Sequence, residues 1–154
     1  MAGTVEARLT ALGIELPSAP APAASYVPAV ITGNLLFTAG QIPMKNGERL
    51  FIGKVGDTMD VATAQQAARL CALNIVAQVK AAVGDLDRVV RCVKVLGFVN
   101  ATPDFGDHPK VINGASDLLV EIFQDKGRHA RSAVGAGSLP FGVAVEVEAI
   151  FEIA

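Results

Sequence analysis

Hydrophobic and polar positions follow two different periods along the chain. Between residues 60 and 83 the apolar side chains recur at about 3.6-residue spacing in an alanine-rich segment, which predicts a long helix. Asp60 is placed to cap its first turn and Gly84 to end its last one. A second stripe of the same period predicts another helix, with Asp107 as its cap and Gly127 beyond its end.

Runs of β-branched residues and strict alternation predict the strands. The predicted strands are residues 26–31, 35–39, a short one near 50–55, 89–99 and two within 130–150. Glycine-containing turns join the first two and the last two, so both pairs are interpreted as β-hairpins. Asn46-Gly47 marks a further turn.

The order of the elements predicts the fold class. Residues 1–22 are predicted as a segment apart, a short helix over residues 4–13 followed by a proline-rich connector that cannot pair within a sheet. In residues 23–154 the order β-β-(β)-α-β-α-β-β predicts an α+β domain with two helices packed on one mixed sheet.

Charged side chains interrupt the apolar pattern of the last quarter. Because successive side chains of a strand point to opposite faces, Glu146, Glu148 and Glu152 are predicted to share one face. Arg131 stands among small apolar residues, so the predicted hairpin would bring a guanidinium and carboxylates together around a small anionic substrate. For Glu148 and Glu152 a solvated sheet face or a salt bridge is the simpler interpretation.

Composition narrows the choice of compartment and partners. Hydrophobic residues make up 51% of the chain and charged residues 18%, yet no run approaches the ~20 apolar residues of a membrane helix. Association of subunits is therefore the favoured explanation of the apolar content. The net charge of −2 disfavours nucleic-acid binding. Cys71 and Cys92 are predicted as buried free thiols, and the protein as cytoplasmic.

Three segments together carry a resemblance to a known family. They are residues 33–43 (GNLLFTAGQIP), residues 130–134 (ARSAV) and the stretch from Leu139-Pro140 to residues 146–149 (EVEA). In these the chain resembles the RidA (YjgF-type) family of reactive-intermediate deaminases. The resemblance implies a chorismate-mutase-like fold, a homotrimer with clefts at the subunit boundaries, and hydrolysis of imines and enamines to 2-keto acids without a metal or an organic cofactor.

The resemblance also implies roles for individual residues. Arg131 matches the arginine that binds the substrate carboxylate, and Glu146 the acidic residue that positions water or relays protons. The other matches are Tyr26 near the cleft entrance, Gly40 whose backbone lines the site, Asn113 near the start of the second long helix, and Ala133 where many members have cysteine.

Departures from the family pattern suggest a sub-branch whose substrate differs. Many members read GPYSQA where this chain has residues 24–29 and RSCVEV where it has residues 131–136, and the loop 105–113 is longer than usual. Two other functions stay open: a non-catalytic trimer that binds a metabolite or a client protein, and a ribonuclease or translation inhibitor, which the acidic balance disfavours. His108 and His129 are predicted as surface residues rather than metal ligands.

Overall fold

A five-stranded sheet covered by helices on one face forms the body of the protein in a computed structural model, which describes residues 3–22 and 24–154. The helices are α1 (Thr4–Ala11), α2 (Val61–Val83) and α3 (His108–Phe123). The strands are β1 (Ala29–Thr32), β2 (Leu35–Thr38), β3 (Met44–Lys45), β4 (Glu48–Arg49), β5 (Val89–Asn100), β6 (Ala130–Ala136) and β7 (Val145–Ile153). The α+β class with a mixed sheet is confirmed.

The strand order of the main sheet is β1-β2-β7-β5-β6, and only the β5–β6 pair is parallel. The first predicted hairpin is confirmed, because β1 and β2 pair antiparallel with Thr32 opposite Leu35. The predicted hairpin in the last quarter is wrong, since β5 lies between β6 and β7. β5 is a long strand whose backbone N–H and C=O groups need partners along both edges, and the two late strands supply one edge each.

The strand predicted near residues 50–55 is also wrong. The pairing lies earlier, where β3 and β4 form a small hairpin around the predicted turn at Asn46-Gly47. Phe51 has a φ of +54° and Gly53 a φ of +156°, values that interrupt an extended strand. Ile52 and Val55 therefore make only isolated bridges.

The two long helices begin differently. In α2 the Asp60 carboxylate accepts a hydrogen bond from the Thr63 backbone N–H at 2.8 Å, and Gly84 follows with a φ of +82°, so both predicted ends are confirmed. Asp107 makes no capping hydrogen bond to α3. Its carboxylate lies 3.7 Å from the Lys110 ammonium instead, so the prediction that it caps the helix is wrong.

The core lies between the helices and the sheet. Along β7 the residues Val145, Val147, Ala149, Phe151 and Ile153 are buried, while the glutamates between them are half-buried on the other face. The predicted alternation of β7 is thus confirmed. The helices contribute a matching set of fully buried side chains, which includes Ile75, Val76, Val79, Ile112, Leu118, Leu119 and Ile122.

The opposite face of the sheet carries apolar side chains that none of the described helices covers. Phe37 lies opposite Ile150, and Phe98 lies opposite both Glu146 and Val134. Phe37 and Val134 remain 38% and 42% exposed. Part of the apolar surface of the chain therefore lies on this open face. No helix within the described residues is long and apolar enough to cross a membrane.

Gly114 sets the distance between α2 and α3, and its replacement tests this packing. A Cβ at this position would overlap the Gln65 backbone carbonyl of α2. Gly114→Ala is therefore expected to lower the free energy of unfolding by about 1–3 kcal/mol, although alanine is the better helix former by roughly 1 kcal/mol. Chemical denaturation measures the difference. Gly106→Ala is the control, because a Cβ there meets no atom within 4 Å; equal losses in both variants would contradict the packing argument.

Candidate functional site

A cleft of about 340 Å³ lies where β2 ends beside the start of β7. This volume is in the range of small-molecule sites. Its walls are mostly apolar, with a few polar or charged side chains among them. The lining residues are Pro20, Ala21, Pro22, Tyr26, Pro28, Ala39, Gly40, Gln41, Ile42, Met44, Arg49, Pro140, Phe141 and Glu146.

Glu146 is the carboxyl group of this cleft. Partial burial raises its pKa above the ordinary value, and the neighbouring Glu148 raises it further. Two backbone hydrogen bonds between Gln41 and Val147, of 2.8 and 3.0 Å, hold the end of β2 against β7 at this point. A Cβ at Gly40 would overlap the Glu146 carboxyl group. The glycine therefore leaves the room that Glu146 occupies.

Arg49 and Phe141 form one rim of the cleft, and no pattern in the sequence indicated either residue. The Arg49 guanidinium carbon lies 3.4 Å from the centre of the Phe141 ring, a cation–π arrangement. Phe141 adopts a φ of +60° within the turn before β7, which places its ring beside β4. Only the folded chain brings these two residues together.

The N-terminal connector supplies another wall of the cleft. Pro20, Ala21 and Pro22 line it, and the Gln78 side-chain amide of α2 donates a 2.7 Å hydrogen bond to the Pro20 carbonyl. Gln78 itself is 2% exposed, so this tether is fixed within the core. The predicted proline-rich connector thus borders the cleft.

Arg131 lies elsewhere, on the helix-facing side of β6. Its Nη1 donates to the Asn113 Oδ1 at 2.8 Å and to the Ser116 Oγ at 3.2 Å, and its Nη2 donates to the Pro109 carbonyl at 3.4 Å. A guanidinium has five N–H donors, and these three bonds use both of Nη1 and one of Nη2. Among the described residues, nothing accepts from the Nε–H or from the second Nη2–H, and a ligand carboxylate could accept from both.

His129 completes the cluster around Arg131. Its Nδ1 lies 2.6 Å from the Gly127 carbonyl and its Nε2 lies 2.9 Å from the Ser116 Oγ. Burial lowers the pKa of His129, as does the charge of Arg131, while the contact with the Gly127 carbonyl opposes both. The prediction of a plain surface residue is therefore wrong for His129. His108 is also half-buried, with its ring edge against Phe105 at 5.2 Å between centroids.

The sheet separates the two groups of predicted site residues. Glu146 lies opposite Phe98, which lies opposite Val134, so these three share the open face. Arg131 is three positions before Val134 on β6 and therefore faces the other side, toward α3. The expectation that one hairpin brings the guanidinium and the carboxylate together is wrong.

The six predicted residues fall into two sets of three. Tyr26, Gly40 and Glu146 line the cleft. Asn113 holds Arg131, and Ala133 follows two residues along β6 on the same face, where it packs against the core. Sequence reasoning missed Ser116, although its place one helical turn after Asn113 was a usable signal.

Among the described residues, the two thiols and the acidic groups form neither a reactive-cysteine site nor a metal site. Cys71 and Cys92 are free and buried, as predicted. Burial raises the pKa of both thiols, that of Cys92 to about 12, which keeps them protonated. Within residues 3–22 and 24–154, no three His, Cys, Asp or Glu side chains are placed to hold a metal ion.

Comparison with known proteins gives a consistent set of relatives. Residues 6–152 match the family described as "YjgF/chorismate_mutase-like, putative endoribonuclease". Protein TCP17 of Trypanosoma cruzi is 49% identical over 152 residues, which cover 98% of this chain and 95% of that protein. A 2-iminobutanoate/2-iminopropanoate deaminase of Dermatophagoides farinae is 34% identical over 141 residues, covering 91% and 94%.

Solved structures agree with these relatives. The protein Atu1372 of Agrobacterium tumefaciens, described as of unknown function, superposes with a TM-score of 0.91 at 52% identity and covers 97% of this chain and 92% of its own. TdcF of E. coli, solved with bound serine, superposes with a TM-score of 0.65 at 29% identity, covering 91% and 97%.

The raised pKa of Glu146 predicts a pH-dependent cost in stability. The folded chain keeps the Glu146 proton above pH 4.5, where the unfolded carboxyl has lost it, so the stability contributed by this residue falls as pH rises through the folded pKa. Glu146→Gln, which cannot ionise, is expected to match the wild type near pH 4 and to unfold at a higher temperature at pH 7. Thermal unfolding at both pH values measures this. Glu15→Gln, at an exposed position, is the control, and a Glu146→Gln variant less stable than wild type at pH 7 would refute the expectation.

Proposed function

Since the chain belongs to the YjgF/chorismate-mutase-like family, we propose that it is a hydrolytic deaminase of small 2-imino and enamine acids. The products are a 2-keto acid and ammonia. The observation that carries the proposal is the pair of half-sites within one chain: a carboxyl group of raised pKa in a cleft, and a guanidinium held by α3 that keeps N–H donors for a carboxylate. The imine deaminase among the relatives, at 34% identity, supports it.

Arg131 binds the acid group of the substrate in this proposal. Three hydrogen bonds hold its guanidinium, and its Nε–H and one Nη2–H are left to donate to the ligand. The substrate carboxylate accepts from them. Lysine has a similar charge but presents no planar pair of donors, so it would not orient the substrate in the same way.

Glu146 handles the protons of the hydrolysis. Its protonated carboxyl transfers a proton to the imine nitrogen, and a water molecule then attacks the imine carbon while giving its proton to the Glu146 carboxylate. The resulting carbinolamine takes that proton on nitrogen and loses ammonia, and Glu146 recovers a proton from the hydroxyl as the keto group forms. Burial and the neighbouring Glu148 raise the pKa of Glu146, which favours the protonated carboxyl that the first step requires. The scheme uses only water and these side chains.

Assembly is part of the proposal, because one chain holds Arg131 and Glu146 on opposite faces of its sheet. In a homotrimer with clefts at the subunit boundaries, the Arg131 cluster of one subunit completes the Glu146 cleft of its neighbour. The apolar open face, with Phe37 and Val134 38% and 42% exposed, supplies surface that association would bury. The buried free thiols fit a cytoplasmic protein.

Binding of a metabolite without turnover is the second candidate function. The similar structure of E. coli TdcF was solved with bound serine, which is an amino acid rather than an imine. The same two half-sites would serve such a role, with Glu146 accepting a hydrogen bond from the ligand instead of transferring a proton. Only a deaminase would convert the ligand to product, so turnover distinguishes the two candidate functions.

Release of keto acid from enzymatically generated 2-aminoacrylate tests the deaminase proposal. Wild-type protein is expected to accelerate it, and Arg131→Ala and Glu146→Gln are each expected to lower kcat/KM by roughly 100-fold or more, the usual size of a lost proton-transfer or charge-stabilising group. Arg128→Ala is the matched control, because Arg128 is exposed and pairs with Asp125 at the surface. Pyruvate binding by a wild type that leaves the rate unchanged would favour the second candidate.

Mixed assemblies test whether two subunits share each site. Arg131→Ala and Glu146→Gln subunits are both expected to be inactive alone. After co-expression, about one quarter of the clefts in randomly mixed trimers combine an intact Arg131 with an intact Glu146, so about one quarter of the wild-type rate should return. Size-exclusion chromatography with light scattering establishes the subunit number. No recovery from mixtures of proven trimers would place both groups in one chain's site and overturn the shared cleft.

A further inference from the structure

Ser116 accepts a hydrogen bond from Arg131, and His129 in turn contacts the Ser116 hydroxyl. We infer that these two residues are positioning residues for the Arg131 guanidinium, and that they set the affinity of the site for carboxylates without touching the substrate. The inference rests on the proposed role of Arg131. It adds two residues that have no place in the family resemblance.

The hydrogen bonds have a defined direction. The Gly127 carbonyl can only accept, so the His129 Nδ1 at 2.6 Å carries a hydrogen. In the neutral ring Nε2 then has a free lone pair, and the Ser116 hydroxyl 2.9 Å away donates to it. The Ser116 oxygen, having given its hydrogen to the ring, accepts from Arg131 at 3.2 Å. Each donation polarises the next group, which strengthens the serine as an acceptor.

The surroundings of His129 favour the neutral ring that this chain of bonds requires. Burial opposes a charged imidazole, and Arg131 on β6 adds a like charge close by. On the preceding turn, Asp125 and Arg128 pair with each other at 3.5 Å and are 99% and 73% exposed. The neighbour on α3 is the uncharged Ser116. Histidine therefore serves here as a hydrogen-bond acceptor.

Ser116 affects the orientation of the Arg131 guanidinium. The bonds from Nη1 to Asn113 and Ser116 occupy both of its hydrogens, so this end of the guanidinium faces α3. Without Ser116, one Nη1 hydrogen loses its partner and the guanidinium can turn about its long axis. A ligand carboxylate would then have to restrict that motion on binding, which weakens affinity.

Pyruvate, the simplest keto acid, serves as the binding probe for the full chain in isothermal titration calorimetry. Ser116→Ala and His129→Leu are each expected to weaken pyruvate binding by about threefold to tenfold, the size of one net hydrogen bond. In the deaminase assay KM should rise by a similar factor while kcat changes little, because Glu146 is untouched. Ser116→Thr keeps the hydroxyl and should restore most of the affinity.

The Arg131→Lys background distinguishes positioning from general packing. A lysine has no fork to orient, so Ser116→Ala should cost much less affinity there than in the wild type. Ser138→Ala, at an exposed loop position, is the matched control. If His129→Leu does not fold, the comparison of Ser116→Ala with Ser116→Thr still tests the inference.

Two results would overturn the inference, and they are distinguishable from failure of the proposed function. In the first, Ser116→Ala and His129→Leu bind pyruvate like Ser138→Ala while Arg131→Lys binds weakly; the anchor then stands and its positioning by these residues is refuted. In the second, Ser116→Thr and Ser116→Ala lose affinity equally, since the hydroxyl would then be irrelevant. If Arg131→Lys binds pyruvate as tightly as wild type, the proposed role of Arg131 fails first.

Discussion

The pairing of β5 with a strand on each edge is the constraint on which the rest of the structure depends. Residues 89–100 form the longest of the described strands, which pairs with β7 along most of its length and with β6 from Lys94 to Asn100. This arrangement parts two strands that are neighbours in sequence. It also fixes the register that places Val95 beside Arg131 and Phe98 beside Glu146.

That register decides which groups can act together. Because side chains alternate between faces, a difference of one position along β6 would turn Arg131 from α3 to the open face. In the observed register the guanidinium is held by α3 and the Glu146 carboxyl lies in the cleft on the other side. Under the proposed function these are two halves of one site, which the proposed trimer would bring together.

The candidate site also contains features that lower the stability of the folded chain. Glu146 is partly buried next to Glu148, an arrangement that disfavours its charge. The chain keeps Gly40 where a side chain would displace Glu146, and it ties the connector over the cleft through Gln78. Local structure that leaves room for a destabilised carboxylate is common at functional sites, where activity and stability compete.

The sequence by itself determined the local elements of this protein: α2 with its Asp60 cap, the first hairpin at Gly33-Asn34, and the alternation of β7. These follow from periodicity, capping and turn chemistry, which act over a few residues. The resemblance of three short segments identified the family and named Arg131 and Glu146. Only the tertiary structure decided that β5 separates β6 from β7 and that the two named residues face opposite sides of the sheet. It also decided that the connector and Arg49 line the Glu146 cleft and that His129 belongs to the Arg131 cluster. Such contacts join residues far apart in the chain, and their pairing depends on how the whole sheet satisfies its hydrogen bonds and buries its apolar face.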